Sequence, residues 1–197
     1  MTALSVLLIC SGYLAGSMIG ALLVQQLMSL PDPRQFGSGN PGATNMLRTG
    51  GKWPALLTLI FDVAKGTLPV MLGIMLEQPI AVLNLIAIAA LLGHIFPLYY
   101  GFKGGKGVAT ALGVVMPLSM PVASGLVGLW IIVFGLSRYS SLASMTAAFS
   151  TPVLCYWYTP EYLPSLVIIS LMVLAKHKSN LNNLIHGKEH RFEISKE

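Results

Sequence analysis

The feature that most constrains this chain is the length of its stretches without a charged side chain. Residues 1–31 carry none, residues 108–136 carry none over 29 positions, and residues 139–175 carry only Glu161 over 37. An α-helix rises about 1.5 Å per residue and a bilayer's hydrocarbon core is about 30 Å thick, so about 20 apolar residues make one crossing. Only 10% of the 197 residues are charged, against about 25% in soluble domains. Too few charges exist to coat a water-facing surface, which excludes a soluble globular domain. Disorder needs low hydrophobicity and high charge, and is excluded too. The expectation is an all-α integral membrane protein, a polytopic helical bundle forming one domain over residues 1–197.

Apolar segments stand at residues 3–28, 53–76, 79–100, 108–136 and 139–175. The last two are too long for one helix each. Pro117 and Pro121 in the first, and Pro152, Pro160 and Pro164 in the second, mark places where helices kink or stop. About seven helices result, with five full crossings at minimum. Met1 is followed by no Lys or Arg, so residues 3–28 read as a retained first helix rather than a signal peptide.

Orientation follows from the basic residues. Arg34, Arg48 and Lys52 follow the first segment, Lys103 and Lys106 the third, and Lys176, Lys178, Lys188, Arg191 and Lys196 lie in the tail; the connection around Glu77 has none. The positive-inside rule places those loops and the tail in the cytoplasm, with the N-terminus outside. That arrangement requires an odd number of crossings, and the side of Arg138 depends on which. The net charge of +5 is spread over short loops, which suits topology and anionic ligands rather than nucleic acid. Cys10 and Cys155 lie in apolar stretches with no metal-ligand spacing, and His186 with His190 has no further ligand beside it. No metal and no cofactor are expected.

The cytoplasmic segments are unusual for mere connections. Between Gly37 and Asn45 stand three glycines and the donors Ser38, Asn40, Thr44 and Asn45, with Arg48 following. Glycines let successive N–H groups converge on an anion, hydroxyls and amides add donors, and a guanidinium forks onto phosphate oxygens. The bland reading is a Gly/Pro/Asn turn with a solvated arginine. The third connection holds Gly101, Lys103, Gly104, Gly105, Lys106 and Gly107 immediately before an apolar segment. A phosphate docks naturally at such a helix start, and a side chain at Gly104 or Gly105 is expected to fill the space it needs. The alternative is a flexible linker with lysines at the headgroups. Gly-x4-Gly-Lys-Ser/Thr does not fit, so an ATPase loses its main support.

Asp62 and Lys65, three apart in the second segment, share a helix face. They suit a structural ion pair or a functional Lys65. His94 reads as a buried structural histidine. The tail run from Lys176 to Leu184 includes His177 and Asn180, with Gly187 and Glu189 beyond; it reads as a third polar wall or as a headgroup-facing anchor. Neither His-x4-Asp nor Gly-x-Ser-x-Gly occurs. An enzyme built this way works by positioning and charge stabilisation.

These residues resemble a known family. Ser38-Gly39-Asn40-Pro41-Gly42-Ala43-Thr44-Asn45 with Arg48, Asp62-x-x-Lys65-Gly66, Gly93-His94-x-Phe96-Pro97, the run from Gly101 to Thr110, and His177-x-x-Asn180 with Gly187-x-Glu189 look like the signature segments of the bacterial acyl-phosphate:glycerol-3-phosphate acyltransferases. The resemblance covers essentially the whole chain; the family usually has arginine where Lys176 and Asn183 stand. It implies transfer of a fatty acyl group from acyl phosphate to the sn-1 hydroxyl of glycerol 3-phosphate, giving lysophosphatidic acid and phosphate. It implies Ser38, Arg48, His177 and Asn180 in catalysis, and Gly39, Asn40, Thr44, Asn45, Lys65, Lys103, Gly104, Gly105, Lys106 and Gly107 in substrate or phosphate binding. Asp62, His94 and Glu189 are left structural. It further implies a multi-pass place in the bacterial inner membrane among membrane lipid, a cytoplasmic active site, and a functional link to the soluble enzyme that makes acyl phosphate. A transporter of a phosphorylated solute is the alternative; it needs access from both faces, whereas the basic glycine loops all fall inside.

Overall fold

In a computed structural model, residues 1–192 are described. They contain α1 (Ala3–Gly16), α2 (Gly20–Leu27), α3 (Ala43–Thr49), α4 (Lys52–Met75), α5 (Ile80–Ile95), α6 (Val108–Leu118), α7 (Met120–Ser137), α8 (Ser140–Tyr158), α9 (Leu163–Lys176) and α10 (Lys178–Ile185). Short 3-10 turns follow α5 at Leu98–Tyr100 and α8 at Pro160–Tyr162. About seven helices were expected and ten are present among the described residues. The excess comes from the seven-residue α3 and eight-residue α10, both in polar connections, and from a break in the first apolar segment. Three helices are long and apolar enough to cross a membrane, Lys52–Met75, Ile80–Tyr100 and Met120–Ser137, and a fourth results if the broken pair is one span. The chain divides into two compact units, Met1–Leu118 and Ser119–Glu197.

The first unit corrects the reading of residues 3–28 as a single helix. α1 and α2 meet at a bend of 52°. A break at membrane depth strands carbonyls at the end of one helix and N–H groups at the start of the next, and these must be satisfied internally. Asp62 and Lys65 on α4 do this. The Asp62 carboxylate accepts the Gly20 N–H at 3.1 Å, and the Lys65 ammonium donates to the Met18 carbonyl at 2.7 Å while standing 2.7 Å from Asp62. The negative group thus faces a helix N-terminus and the positive group a C-terminus, the favourable sense for both dipoles.

Backbone contact at glycine holds this unit together. A Cβ on Gly16 would run into the Ala90 carbonyl and one on Gly93 into that of Tyr13, so α1 and α5 touch directly. Gly66 meets the Thr110 carbonyl and Gly113 that of Val63 in the same way, joining α4 to α6. Lipid supplies no hydrophobic drive between helices, so close approach of small residues carries the packing. The Ser5 hydroxyl donates to the Gln78 side chain at 2.8 Å, which sets the chain's start beside the turn at Glu77. Arg34, Arg48, Lys52, Lys103 and Lys106 gather at the other end: Arg34 before α3, Arg48 in its last turn, Lys52 at the start of α4, and both remaining lysines after α5.

In the second unit, Pro121 stands in the first turn of α7, and Pro160 and Pro164 bound the turn before α9, as their chemistry dictates. Pro152 departs from the expectation: α8 runs through it. Proline lacks the N–H that would have paired with the Ala148 carbonyl, and Ser170 on α9 donates to that carbonyl at 2.5 Å instead. The tail returns to the turn between α7 and α8. There the Phe192 N–H donates to the Arg138 carbonyl at 2.9 Å, and the rings of Phe134 and Phe192 meet edge to face at 5.8 Å.

Candidate active site

Residues 28–42 form the first loop of the site. Arg34 forks onto Asp32, with Nε 3.0 Å and Nη2 2.6 Å from the two carboxylate oxygens. Those hydrogen bonds hold the Asp32 carboxyl below the usual carboxylate range. Beyond it the chain arches through residues 33–38, with Gly37 at φ +59° and Gly39 at φ +69°, both in the left-handed region that glycine tolerates. Ser38 and Gly39 are exposed at the crest and Asn40 is partly buried. α3 then begins after Gly42, with Thr44 in its first turn and Arg48, exposed, in its last.

Asn45, expected among the substrate-binding residues, faces its own loop. It is buried on α3, 1% exposed. Its amide nitrogen donates to the carbonyls of Pro33 at 2.7 Å and Phe36 at 3.1 Å, and its oxygen accepts the Ser38 N–H at 2.9 Å. Both donors and the acceptor are committed within the loop, which leaves no hydrogen for a ligand.

The third connection, residues 96–107, does not arch outward. After the 3-10 turn, Gly101 and Phe102 both take φ +60°, and the Phe102 N–H donates to the Pro97 carbonyl at 2.9 Å. The chain then doubles back along α5. Gly104 lies on the His94 carbonyl, the Gly105 N–H donates to that carbonyl at 3.2 Å, and Gly107, at φ +82°, packs against Leu91. α6 therefore starts below the end of α5. A second reason for glycine at 104 and 105 stands beside the expected one. A Cβ on Gly104 would strike the His94 carbonyl and lie 2.7 Å from Pro97 Cδ, and one on Gly105 would strike the His94 imidazole. Close approach to α5 requires these glycines before any phosphate arrives.

His94 is buried. Its Nδ1 is 3.1 Å from the Thr110 hydroxyl and 3.8 Å from the Asp62 carboxylate. The polar group behind the glycine run is thereby tied to the pair at the helix break. Lys65, expected to bind substrate, has a side chain 4% exposed and is engaged with Asp62 and Met18. Its geometry is that of the structural ion pair. The two loops meet: a Cβ on Gly105 would lie 3.3 Å from the Pro41 carbonyl. Tyr100 packs with Leu30 and Leu47 on a core of Ile19, Leu22 and Met46. Lys103 is exposed and Lys106 partly buried on this end.

In the second unit His177 is 2% exposed. Its Nδ1 is 2.8 Å from the Val173 carbonyl, and because a carbonyl only accepts, Nδ1 carries the proton. Asn180 donates to Glu189 at 2.7 Å, and Ser141 donates to the same carboxylate oxygen at 2.7 Å. Ser141 was not singled out from the sequence, where nothing marks one serine in an apolar helix as the partner of a residue 48 positions away. Asn180 Oδ1 is buried with no hydrogen-bond partner among the described residues.

A helical membrane protein with two touching, cation-bearing glycine loops at one end has the parts to hold phosphate-bearing molecules. The comparisons give the particular family. Its model, described as glycerol-3-phosphate acyltransferase, matches residues 6–187, and the chain belongs to that family. The glycerol-3-phosphate acyltransferase of Idiomarina loihiensis is 50% identical over 193 residues, 98% of each chain. That of Glaesserella parasuis is 46% identical over 191 residues, 97% of this chain and 94% of the other. Among solved structures, the fold matches PlsY (YgiH), an integral membrane glycerol 3-phosphate acyltransferase. Its glycerol 3-phosphate form is 37% identical with a TM-score of 0.92, over 97% of this chain and 96% of that one. Its lysophosphatidic acid form is 36% identical with a TM-score of 0.90 over the same shares.

Proposed function

We propose that this chain transfers a fatty acyl group from acyl phosphate to the sn-1 hydroxyl of glycerol 3-phosphate. The observation that carries the proposal is that two glycine- and cation-rich loops, in the family's order, touch at one end of a fold shared with a relative solved in a glycerol 3-phosphate form. The hydroxyl oxygen bonds to the acyl carbonyl carbon, the bond from that carbon to the phosphate oxygen breaks, and inorganic phosphate leaves with the electron pair. The proton passes to a substrate phosphate or to His177. Acyl phosphate is a mixed anhydride and already activated, so direct attack needs no acyl-enzyme. Ser38 donates a hydrogen bond at the reacting end. Arg48, Lys103 and Lys106 compensate phosphate charge, with Asn40, Thr44 and the N–H groups of Gly104 and Gly107 as neutral donors, while Gly39 and Gly105, whose own N–H groups go to the Phe36 and His94 carbonyls, shape the two loops. Asn180 offers its amide oxygen, and Lys65 supports the fold rather than the substrate.

The same proposal sets the loop end and the tail in the cytoplasm, with the chain's start outside, in a bacterial inner membrane. The Phe192–Arg138 contact supports a reading with seven passes rather than five, in which Arg138 shares the side of the tail's end. Acyl phosphate then arrives from the enzyme that makes it, through the cytoplasm or the inner leaflet.

Purified protein supplied with palmitoyl phosphate is expected to release phosphate and form lysophosphatidic acid only when glycerol 3-phosphate is present. Arg48→Ala should lower kcat/KM on the order of 10²-fold, with the protein still inserted. Exchange of labelled glycerol 3-phosphate across sealed vesicles without acyl transfer would overturn the enzyme in favour of a transporter.

A further inference from the structure

We infer that Asn45 is a positioning residue for acyl transfer: it sets Ser38 in place by gripping the 33–38 arch from inside, and it does so from the same short helix that carries Arg48. The inference rests on the acyltransferase reading, and specifically on a part for Ser38 in the chemical step. Asn45 spans the arch with three hydrogen bonds, to Pro33, Phe36 and Ser38. Gly37 lies against the same amide oxygen, where a Cβ would collide with it. The Phe36 carbonyl also accepts the Gly39 N–H at 3.0 Å, so the grip extends to the residue after Ser38.

Only asparagine meets this set of groups. Aspartate keeps the acceptor for Ser38 but turns a carboxylate toward two carbonyl oxygens. Glutamine adds a methylene that the buried site has no room to absorb, and alanine abandons the Pro33 carbonyl and the Ser38 N–H and leaves the Phe36 carbonyl to Gly39 alone. Arg48 stands three residues on from Asn45, one turn along α3. A shift of Asn45 therefore moves Ser38 relative to Arg48, separating the group at the reacting centre from the cation that compensates phosphate. Asn45 touches no reacting atom in this account. Its effect travels through the Ser38 backbone, which predicts a loss in kcat rather than in substrate affinity.

The test is a double-mutant cycle on purified protein with palmitoyl phosphate and glycerol 3-phosphate. Ser38→Ala, Asn45→Ala and the double variant are compared for kcat and for both KM values, with thermal unfolding in detergent as the control for folding. Asn45→Ala is expected to lower kcat about as far as Ser38→Ala does, with both KM values close to the parent's. In the Ser38→Ala background, Asn45→Ala should cost less than about threefold more, because the coupled partner is already gone. Full multiplication of the two losses, an unchanged kcat in Asn45→Ala, or a loss confined to KM would each overturn the inference. Where Asn45→Ala does not fold, Gly37→Ala perturbs the same contact and its coupling to Ser38→Ala is read identically. If neither variant folds, the grip serves folding alone and the inference fails. An inactive parent protein would instead overturn the acyltransferase reading itself.

Discussion

The two glycine loops of the first unit use the same residue for different purposes. In the first loop, Gly37 and Gly39 supply left-handed turns, and the arch they make is held by a side chain, Asn45, reaching out from α3. In the other, Gly104 and Gly105 have no such turn to make; they let the chain lie against the main chain and imidazole of His94. The first arrangement can yield, because side-chain hydrogen bonds alone grip the arch and its crest is exposed. The second cannot, because a helix carbonyl buried in a membrane bundle has nowhere to go. The loop that carries the neutral hydroxyl is therefore adjustable, and the loop that carries the lysines is rigid. In the proposed reaction the rigid part would hold phosphate and the adjustable part would carry Ser38.

The sharpest way to break the contrast is Gly104→Ala. The added methyl meets the His94 carbonyl, with Pro97 Cδ at 2.7 Å and the Ile95 carbonyl at 2.9 Å, and none of these is a flexible chain end. Overpacking of this kind costs about 1–3 kcal/mol, so kcat/KM for glycerol 3-phosphate should fall about 10- to 100-fold, measured on protein normalised for insertion. Parental kinetics in this variant would show that the third connection yields as readily as the first.

Gly101→Ala tests the opposite property on the same segment. A Cβ there meets nothing within 4 Å, but φ is +60°. The cost is the left-handed conformation alone, about 1–2 kcal/mol, and it should be read as a modest loss of thermal stability in detergent. A kinetic loss larger than that of Gly104→Ala would reverse the assignment of rigidity.

The smallest effect is expected from Arg34→Ala in the first loop. Asp32 has a depressed pKa in the folded protein because Arg34 hydrogen-bonds its carboxylate. The pair's stabilisation is therefore present above the unfolded carboxyl's pKa and lost as pH falls through the folded value. The Arg34 side chain is 43% exposed, which limits the effect to about 0.2–1 kcal/mol at neutral pH. The difference in unfolding between parent and variant should close on acidification below about pH 4. A gap that persists there would mean that Arg34 braces the arch by packing rather than by charge.

Much of this was legible in the chain itself. Long uncharged runs leave helices in lipid as the only satisfied backbone, so the all-α membrane fold follows from residues 1–31, 108–136 and 139–175 without coordinates. The ends of α6, α7 and α9 were marked by Pro117, Pro121 and Pro164, because proline constrains its own backbone wherever it stands. The motif order was enough to bring the family into view. What the sequence could not decide was how groups far apart along it compensate one another. The break after α1 is stable because Asp62 and Lys65 lie opposite it, and α8 passes through Pro152 because Ser170 reaches Ala148. Asn45 and Gly104 read as phosphate donors in a linear string, yet one faces the arch of its own loop and the other a carbonyl of α5. Local propensity is a property of neighbouring residues, whereas the satisfaction of a buried polar group is a property of whichever segment the fold brings against it. That second property exists only once the helices have packed.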